Sequence, residues 1–163
     1  IFFRISSNPM VNLIEGDQNA RGLRFGVVVS RFNDFITSNL LTGAMDVFSQ
    51  YGVKEDDLKV LKVPGAFELP QAARKLCSIG NFDAIVCLGA VIRGETSHFD
   101  YICAEVSRGM GQVGLEFNIP VLFGVLTTEN LEQAVARSGS GSSNKGHETA
   151  LAAVEMASLY RKL

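Results

Sequence analysis

An uncharged apolar run, AIVCLGAVI at residues 84–92, leads directly into the polar segment RGETSH at residues 93–98. A second run of the same kind, LRFGVVVS at residues 23–30, contains three consecutive valines. Nearly continuous apolar runs of this length are typical of strands that are buried on both faces of a sheet. Both stretches therefore predict strands that are covered by helices on either side.

Strand and helix patterns alternate along the rest of the chain. Further strands are predicted at residues 58–63 and 121–127, and the first helix has Asn33 or Asp34 as its cap and ends at Gly52. The remaining helices are predicted at residues 68–78, 97–117, 130–138 and 145–163. Strands that are each followed by a helix imply a four-stranded parallel sheet with helices on both faces, within one domain of residues 1–163.

The composition argues against several classes of protein. The chain has 163 residues, of which 47% are hydrophobic and 20% charged, and its formal net charge is −2. Soluble domains are usually about 25% charged. A membrane protein is not expected, because no uncharged apolar run approaches the length of about 20 residues that a span requires. Nucleic acid is not an expected partner, because the sequence has no basic stripe. The surplus of apolar side chains needs another place of burial.

Cysteine and histidine usage gives two further expectations. Cys77, Cys87 and Cys103 lie within apolar stretches and lack CxxC spacing, so we expect buried reduced thiols. The chain has two histidines, His98 and His147, and we therefore expect no metal site.

The amino-terminal segment is acid-free over its first ten residues and does not match a complete signal peptide. A transit-peptide remnant, an artificial extension and an ordered arm are the open interpretations. The apolar stretch IFFRI at residues 1–5 fits an arm, within residues 1–12, that adds a strand to the sheet of a neighbouring subunit.

Ligands of parallel sheets bind beyond the carboxyl ends of the strands, so the residues that follow each strand are the candidates for a binding site. Phe32, after the first strand, is suited to stack on a flat heterocycle or to pack on the next helix as a hydrophobic staple. After the second strand, Gly65 and Ala66 allow a ligand to approach the backbone. Glu68 is either an acceptor for ligand hydroxyl groups or a carboxylate that is favoured in the first turn of a helix.

The turn after the third strand has the glycine spacing of a P-loop, but Glu95 stands where that motif requires lysine. We therefore exclude ATP and GTP. The free N–H groups of this turn suit a single phosphate, and Ser97 with Asp100 also resembles a capping box. His98, in the same turn, is the side chain at the strand ends that exchanges protons near neutral pH. Farther on, Arg137 and Lys145 bracket the loop GSGSSN at residues 139–144, either as anion ligands or as solvated cations.

Five stretches together resemble the lumazine synthase family. They are SRFN at residues 30–33, VPGAFE at 63–68, GAVIRGETSHFD at 89–100, FGVLT at 123–127, and NKG at 144–146 with ETA at 148–150. The match spans residues 13–163, and Ser142 and Ser143 replace a Lys-Ala or similar pair of many members. The resemblance implies a three-layer α/β/α sandwich of the flavodoxin-like type, with strand order 2-1-3-4.

The resemblance also implies a transferase that needs no cofactor or metal. It condenses 5-amino-6-(D-ribitylamino)uracil with 3,4-dihydroxy-2-butanone 4-phosphate to 6,7-dimethyl-8-ribityllumazine, the penultimate step of riboflavin biosynthesis. By resemblance, His98 transfers protons, and Phe123, Arg137 and Lys145 reach in from a neighbouring subunit. The implied ligands of the phosphate are Gly94, Glu95, Thr96 and Arg137, and those of the aminouracil are Phe32, Asn33, Ala66, Phe67, Glu68, Ala90, Val91, Ile92, Phe123 and Lys145.

Assembly and location follow from the same resemblance. The family implies a homo-oligomer built from pentamers, and a pentamer, a decamer and an icosahedral capsid stay open. Riboflavin synthase is a candidate partner, and the expected compartment is the cytoplasm, or a plastid for a plant or algal source. The competing hypothesis is a non-catalytic flavin- or mononucleotide-binding module of flavodoxin-like architecture. That hypothesis explains the sheet and the Gly/Ser/Thr turns, but it explains His98 and Arg137 less well.

Overall fold

A four-stranded parallel sheet forms the centre of the computed structural model, which describes residues 10–163. Its strands are β1 (Phe25–Ser30), β2 (Leu58–Val63), β3 (Ala84–Ile92) and β4 (Val121–Thr128). They pair in the order β2-β1-β3-β4, and each pairing is parallel. The predicted sheet and its strand order are therefore confirmed, and β2 and β4 form its edges.

Helices cover both faces of this sheet. They are α1 (Asp34–Gln50), α2 (Leu69–Ile79), α3 (His98–Phe117), α4 (Leu131–Ala136) and α5 (Lys145–Arg161). α1 and α5 pack on one face and α2 and α3 on the other, whereas the short α4 lies beside β4. The arrangement is the predicted three-layer α/β/α sandwich. Within residues 10–163, no helix combines the length and the apolarity that crossing a bilayer requires.

The side chains of the buried strands pack into two separate cores. Val27 and Val29 of β1 face the layer of α1 and α5, whereas Val28 faces α2 and α3. Because successive side chains of a strand point to opposite faces, almost every position of β1 has to be apolar. Burying one such valine contributes about 1.5–3 kcal/mol of stability. This double burial explains the unbroken apolar runs of the sequence.

The cysteines largely meet their prediction. All three are free thiols, Cys77 and Cys87 are buried in the core between the sheet and α2 and α3, and Cys103 is half-buried on α3. Burial raises the pKa of the Cys87 thiol, and its neighbour Cys77 raises that pKa further. Both buried thiols are therefore held in the protonated form, which is the unreactive one.

The layer of α1 and α5 is unusually tight. A Cβ atom at Gly43 of α1 would overlap the side chain of Asn144, and one at Gly146 of α5 would overlap the carbonyl group of Leu40. The two helices therefore meet at backbone distance, which requires glycine at both positions. This contact fixes the amino-terminal end of α5 relative to α1.

The described part of the amino-terminal segment runs along the end of α5. The Ser158 hydroxyl donates to the carbonyl of Asp17 and accepts from the backbone N–H of Asp17, and the Arg161 guanidinium donates to the carbonyls of Asn19 and Arg21. The predicted strand-adding arm falls mostly on residues 1–9, outside the described residues. The arm and the single domain of residues 1–163 stay predictions.

Asn33 and Ser97 occupy the predicted N-cap positions of α1 and α3, but the expected side-chain capping bonds are absent. The Asn33 side chain makes no capping bond to α1, and the Ser97 side chain makes none to α3. Asn33 instead donates to the Ala90 carbonyl, and the Asp100 carboxylate pairs with Arg93. The partner of Asn33 is 57 positions away and that of Asp100 is seven positions away, and each takes the place of the helix terminus. Smaller differences are that β1 begins at Phe25, α4 ends at Ala136, and α5 ends at Arg161.

Candidate active site

A cleft of about 680 Å³ opens beyond the carboxyl ends of β1, β2 and β3. We call it the strand-end cleft. Its lining residues are Phe32, Asn33, Pro64, Gly65, Ala66, Phe67, Glu68, Ala90, Val91, Ile92, Gly94, Thr96, His98, Phe99 and Ile102. Most of the site residues inferred from the sequence therefore lie together in one cavity. Glu95 is exposed between Gly94 and Thr96, and is itself not part of the lining.

The end of β1 presents an aromatic ring to this cleft. Phe32 is 71% exposed, so it does not act as a hydrophobic staple on α1. Its backbone N–H donates to the Pro64 carbonyl at 3.0 Å, and that of Arg31 donates to the Val63 carbonyl at 2.7 Å. These bonds continue the pairing of β1 with β2 beyond the strand ends. The ring is therefore held on an ordered backbone, with its face free for a planar ligand.

Asn33 connects the ends of two neighbouring strands. Its backbone adopts the left-handed conformation, with φ 62° and ψ 47°, which asparagine tolerates better than most residues. This conformation brings the Nδ2 atom within 3.0 Å of the Ala90 carbonyl at the end of β3. Asn33 therefore lines the cleft, but its amide is already engaged with the backbone of another lining residue.

The turn after β2 places a carboxylate in the cleft. Ala66–Glu68 form a single 3-10 turn that leads into α2, and the Glu68 backbone N–H donates to the Gly65 carbonyl. A Cβ atom at Gly65 would come within 3.2 Å of Glu68 Oε2, so this glycine leaves room for the carboxylate. Among residues 10–163 Glu68 has no ion-pair partner. Its oxygens are free to accept hydrogen bonds from ligand hydroxyl groups.

The turn between β3 and α3 offers backbone donors. Within the described chain, the backbone N–H groups of residues 94–97 have no hydrogen-bond partner. The Thr96 Oγ1 atom accepts weakly from the His98 backbone N–H at 3.4 Å. Free N–H groups that converge at a helix start bind anions. His98 begins α3 at this turn and is exposed to the same cleft.

Arg93 directly precedes this turn, but its guanidinium already has two carboxylate partners. Its guanidinium pairs with Glu129 at 2.7 Å and Asp100 at 3.3 Å, and lies 4.4 Å from the centre of the Phe99 ring. The hydrogen bond to Glu129 raises the pKa of Arg93 most, and the hydrogen bond to Asp100 raises it further. None of the described residues that line the strand-end cleft is a lysine or an arginine. Within the strand-end cleft, one chain therefore supplies backbone donors for an anion but no free positive charge.

The remaining candidate residues lie in a separate pocket of about 360 Å³ at the open edge of β4. We call it the β4-edge pocket. It contains Phe123, Arg137 and Lys145, the three residues that the sequence resemblance assigns to a neighbouring subunit, together with Ser143 and Glu148. The structure brings these three residues to each other and not to His98 of the same chain.

The two cations of the β4-edge pocket differ in their partners. Arg137 donates to the Gln133 carbonyl at 3.0 Å and has no carboxylate partner in the described part of the chain. Lys145 Nζ lies 3.1 Å from Glu148 Oε1. Arg137 is thus the cation more readily available to an external anion.

The amino-acid sequence of the chain also matches known proteins. Residues 22–161 match the family model of 6,7-dimethyl-8-ribityllumazine synthase. The chain belongs to this family. Proteins named 6,7-dimethyl-8-ribityllumazine synthase from two strains of Clostridium kluyveri are each 53% identical to it over 153 residues. Each alignment covers 94% of this chain and 99% of the relative.

Membership in the lumazine synthase family confirms the sequence resemblance, whereas the individual residue roles stay predictions. Sequence reasoning overlooked Arg93 and Asn144. Arg93 lies within the quoted GAVIRGETSHFD stretch, and Asp100 in the same stretch is the sequence signal for an ion pair, whereas Glu129 comes near only in the folded chain. Asn144 stands in the loop and in the NKG stretch, but the sequence reasoning gave it no role of its own. Among residues 10–163, no group of three or more histidine, cysteine, aspartate or glutamate side chains is placed to hold a metal ion.

Proposed function

We propose that this chain condenses 5-amino-6-(D-ribitylamino)uracil with 3,4-dihydroxy-2-butanone 4-phosphate to give 6,7-dimethyl-8-ribityllumazine, as a transferase of riboflavin biosynthesis. The observation that carries the proposal is the strand-end cleft. It combines an exposed aromatic ring, a free carboxylate, an anion-binding turn and a histidine, in a chain of the lumazine synthase family. These groups match the parts of the two substrates.

The aminouracil occupies the side of the cleft formed by the ends of β1 and β2. Its flat ring stacks on Phe32, and its ribityl hydroxyl groups donate to the Glu68 carboxylate. Ala66 and Phe67 contact the same substrate. The backbone of Ala90, Val91 and Ile92 borders the ring on the β3 side; the Ala90 carbonyl already accepts from Asn33 and has one further acceptor position.

The phosphate of the second substrate lies at the turn between β3 and α3. The free N–H groups of Gly94, Glu95 and Thr96 surround it, and Arg137 supplies the positive charge from a neighbouring subunit. A guanidinium forms a bidentate pair with phosphate, which both binds and orients it. Lys145 and Phe123 of that neighbour close the cleft over the aminouracil.

The reaction consists of additions and eliminations that move protons and no net electrons. The aryl amine attacks the ketone, and loss of water gives an imine. Inorganic phosphate then leaves, and ring closure with loss of a second water gives the lumazine. His98 takes protons from the attacking nitrogen and the substrate carbon and returns them to the leaving oxygens. Arg137 and the N–H groups of the turn stabilise the departing phosphate. Much of the rate enhancement comes from holding two substrates in reacting geometry.

The active site requires assembly. The strand-end cleft has no lysine or arginine among its described lining residues, whereas Arg137 and Lys145 lie in the β4-edge pocket. Leu131 and Val135 of α4 expose apolar side chains beside that pocket, which is typical of a surface buried between subunits. We propose a homo-oligomer built from pentamers, with a capsid and an association with riboflavin synthase as further possibilities for the family. The surplus of apolar residues is buried between these subunits.

The direct test is to mix the two substrates with the protein and to follow the fluorescence of the lumazine product. Product formation at a rate proportional to protein concentration supports the proposal. Tight flavin binding without turnover would favour the flavin-binding module instead. Sedimentation of the same sample gives the size of the assembly.

A further inference from the structure

Asn144 is the most extensively bonded polar side chain of the segment that carries Arg137 and Lys145. It is only 2% exposed. Its Nδ2 atom donates to the Asn39 carbonyl at 2.9 Å and to the Gly139 carbonyl at 2.8 Å, and its Oδ1 atom accepts from the His147 backbone N–H at 3.0 Å. One amide therefore joins α1, the preceding loop and the start of α5.

The neighbouring backbone leaves this side chain no alternative position. A Cβ atom at Gly43 would overlap the Asn144 amide, so α1 approaches it as closely as a backbone can. Asn144 and Asn39 are 105 positions apart in the sequence, which makes this hydrogen bond a tertiary one. The loop is thereby fixed to the body of the fold at one defined place.

Both cations of the β4-edge pocket are connected to this place. The Lys145 backbone N–H donates to the Arg137 carbonyl at 2.9 Å, which ties the start of α5 to the end of α4. Gly139, which accepts from Asn144, lies two positions after Arg137, and Lys145 directly follows Asn144. The intervening residues 139–143 are exposed. A displacement of Asn144 would therefore move Arg137 and Lys145 together.

We propose that Asn144 is a positioning residue that acts through its two amide donations. It holds the loop of residues 137–145 on α1 and so sets where Arg137 meets the phosphate-bearing substrate and where Lys145 meets the aminouracil, in the cleft of the neighbouring subunit. This inference rests on the proposed function. Small displacements of a positioning group cost large factors in binding and rate, so the two donations have a measurable effect on the substrate although Asn144 does not touch it.

The variant Asn144→Ser separates this role from helix capping. Serine is also a good N-cap, so the acceptor for the His147 N–H is kept while both amide donations are lost. Asn130→Ser is the matched control, because Asn130 caps α4 in the same way, with Oδ1 accepting from the Gln133 backbone N–H at 2.9 Å. Asn144→Asp is the second variant, since it keeps the size and the cap of asparagine and removes the donors.

The expected result is that Asn144→Ser raises the KM for 3,4-dihydroxy-2-butanone 4-phosphate about tenfold, which corresponds to about 1.4 kcal/mol. Asn130→Ser should leave this KM unchanged. Sedimentation confirms that both variants assemble like the wild type, and Asn144→Asp replaces Asn144→Ser in every measurement if the latter does not assemble. An equal KM in the Asn144 and Asn130 variants overturns the proposal.

A double-mutant cycle with Arg137→Ala identifies the route of the effect. If Asn144 acts by placing Arg137, the serine substitution adds little to the phosphate KM once the guanidinium is gone. Full additivity of the two effects overturns the proposal, because a merely structural role would weaken both backgrounds equally.

Binding of inorganic phosphate to the assembled protein gives a readout that is independent of turnover. We expect weaker phosphate binding in the Asn144 variant than in the Asn130 variant, and equal binding contradicts the positioning role. A wild-type protein that makes no lumazine contradicts the proposed function alone, and the phosphate titration then still decides the role of Asn144.

Discussion

The Nδ2 atom of Asn33 donates to the carbonyl of Ala90 at 3.0 Å, which joins the residues at the ends of β1 and β3 directly beneath the strand-end cleft. The bond depends on the left-handed backbone of Asn33. It ties the residue next to Phe32 to the start of the segment 90–92, the two sides between which the aminouracil ring is proposed to bind.

The paired substitutions Asn33→Gly and Asn33→Ala separate the hydrogen bond from the backbone conformation. Both lose the bond, and alanine additionally places a Cβ atom in the left-handed region, at a cost of about 1–2 kcal/mol. We expect both variants to raise the KM for the aminouracil. We expect the alanine variant to be markedly less stable than the glycine variant. Steady-state kinetics and urea unfolding measure the two effects. Equal stability of the variants would show that the left-handed backbone imposes no strain.

Arg137→Ala should mainly weaken binding of the phosphate substrate, because the guanidinium is the cation more readily available to the phosphate. We expect the KM for that substrate to rise about tenfold or more, the scale of a lost charge-assisted pair. The KM for the aminouracil should change little. Arg24→Ala is the control, since Arg24 pairs with Asp57 before the start of β1, at the opposite end of the sheet. Unchanged saturation by the phosphate substrate would refute the phosphate assignment.

His98→Ala should slow turnover moderately while leaving both KM values near their wild-type levels. Proton relay by a positioned side chain usually contributes a hundredfold or more, and we expect about a hundredfold because substrate positioning supplies much of the remaining rate enhancement. Pre-steady-state measurement of lumazine formation gives the chemical step directly. A wild-type rate in the His98→Ala protein would remove His98 from the proton-transfer role.

Mixing two impaired variants, assayed with the phosphate substrate below its wild-type KM, tests whether sites are shared between subunits. In a hybrid assembly, the His98→Ala chain supplies an intact Arg137, and the Arg137→Ala chain supplies an intact His98. Random mixing in equal amounts should restore about a quarter of the sites if each site uses one cleft and one β4-edge pocket. The measurement is activity after joint unfolding and refolding, compared with each variant refolded alone. Hybrids no more active than the average of the two parents would indicate that each site is built from one chain.

The buried thiol of Cys87 predicts an alkaline loss of stability. Burial raises its pKa above the ordinary value of 9.0, so the native state keeps the proton that the unfolded state loses as the pH rises through 9. The unfolded state then binds fewer protons, and the free energy of unfolding falls as the pH increases. Cys87→Ala removes this contribution, although it also opens a small cavity. Urea unfolding between pH 7 and 10 should show the advantage of the wild type over the variant shrinking with pH, and a constant difference would contradict the assignment.

Much of the fold could be predicted because local patterns determine it. The bounds of β2 and β3 agree with the predicted ones, and the rule that ligands bind beyond the carboxyl ends of parallel strands predicts the position of the cleft without any motif. The partners of Asn33, Asp100 and Asn144 could not be predicted. Asn33 and Asp100 bind other groups instead of the helix terminus, whereas Asn144 caps α5 and also binds Asn39 of α1, and sequence patterns do not rank such alternatives.

The separation of Arg137 from His98 was likewise beyond reasoning from single residues. His98 follows one candidate anion-binding turn and Arg137 precedes another candidate loop, and nothing in their spacing indicates that they face different pockets of one chain. Only the resemblance to the family suggested a second subunit, and the geometry of the β4 edge now gives that suggestion a physical reason.

The double pairing of Arg93 has a consequence for the behaviour of the chain before it assembles. An isolated subunit presents N–H groups at its phosphate turn, but the exposed Glu95 and the neutralised Arg93 leave that turn without attraction for anions at a distance. Sugar phosphates and nucleotides, which are abundant in any cell, would bind to this turn only weakly. If Arg137 of a neighbouring subunit supplies the missing charge, as proposed above, a newly made subunit stays empty and gains affinity for phosphate esters only on assembly.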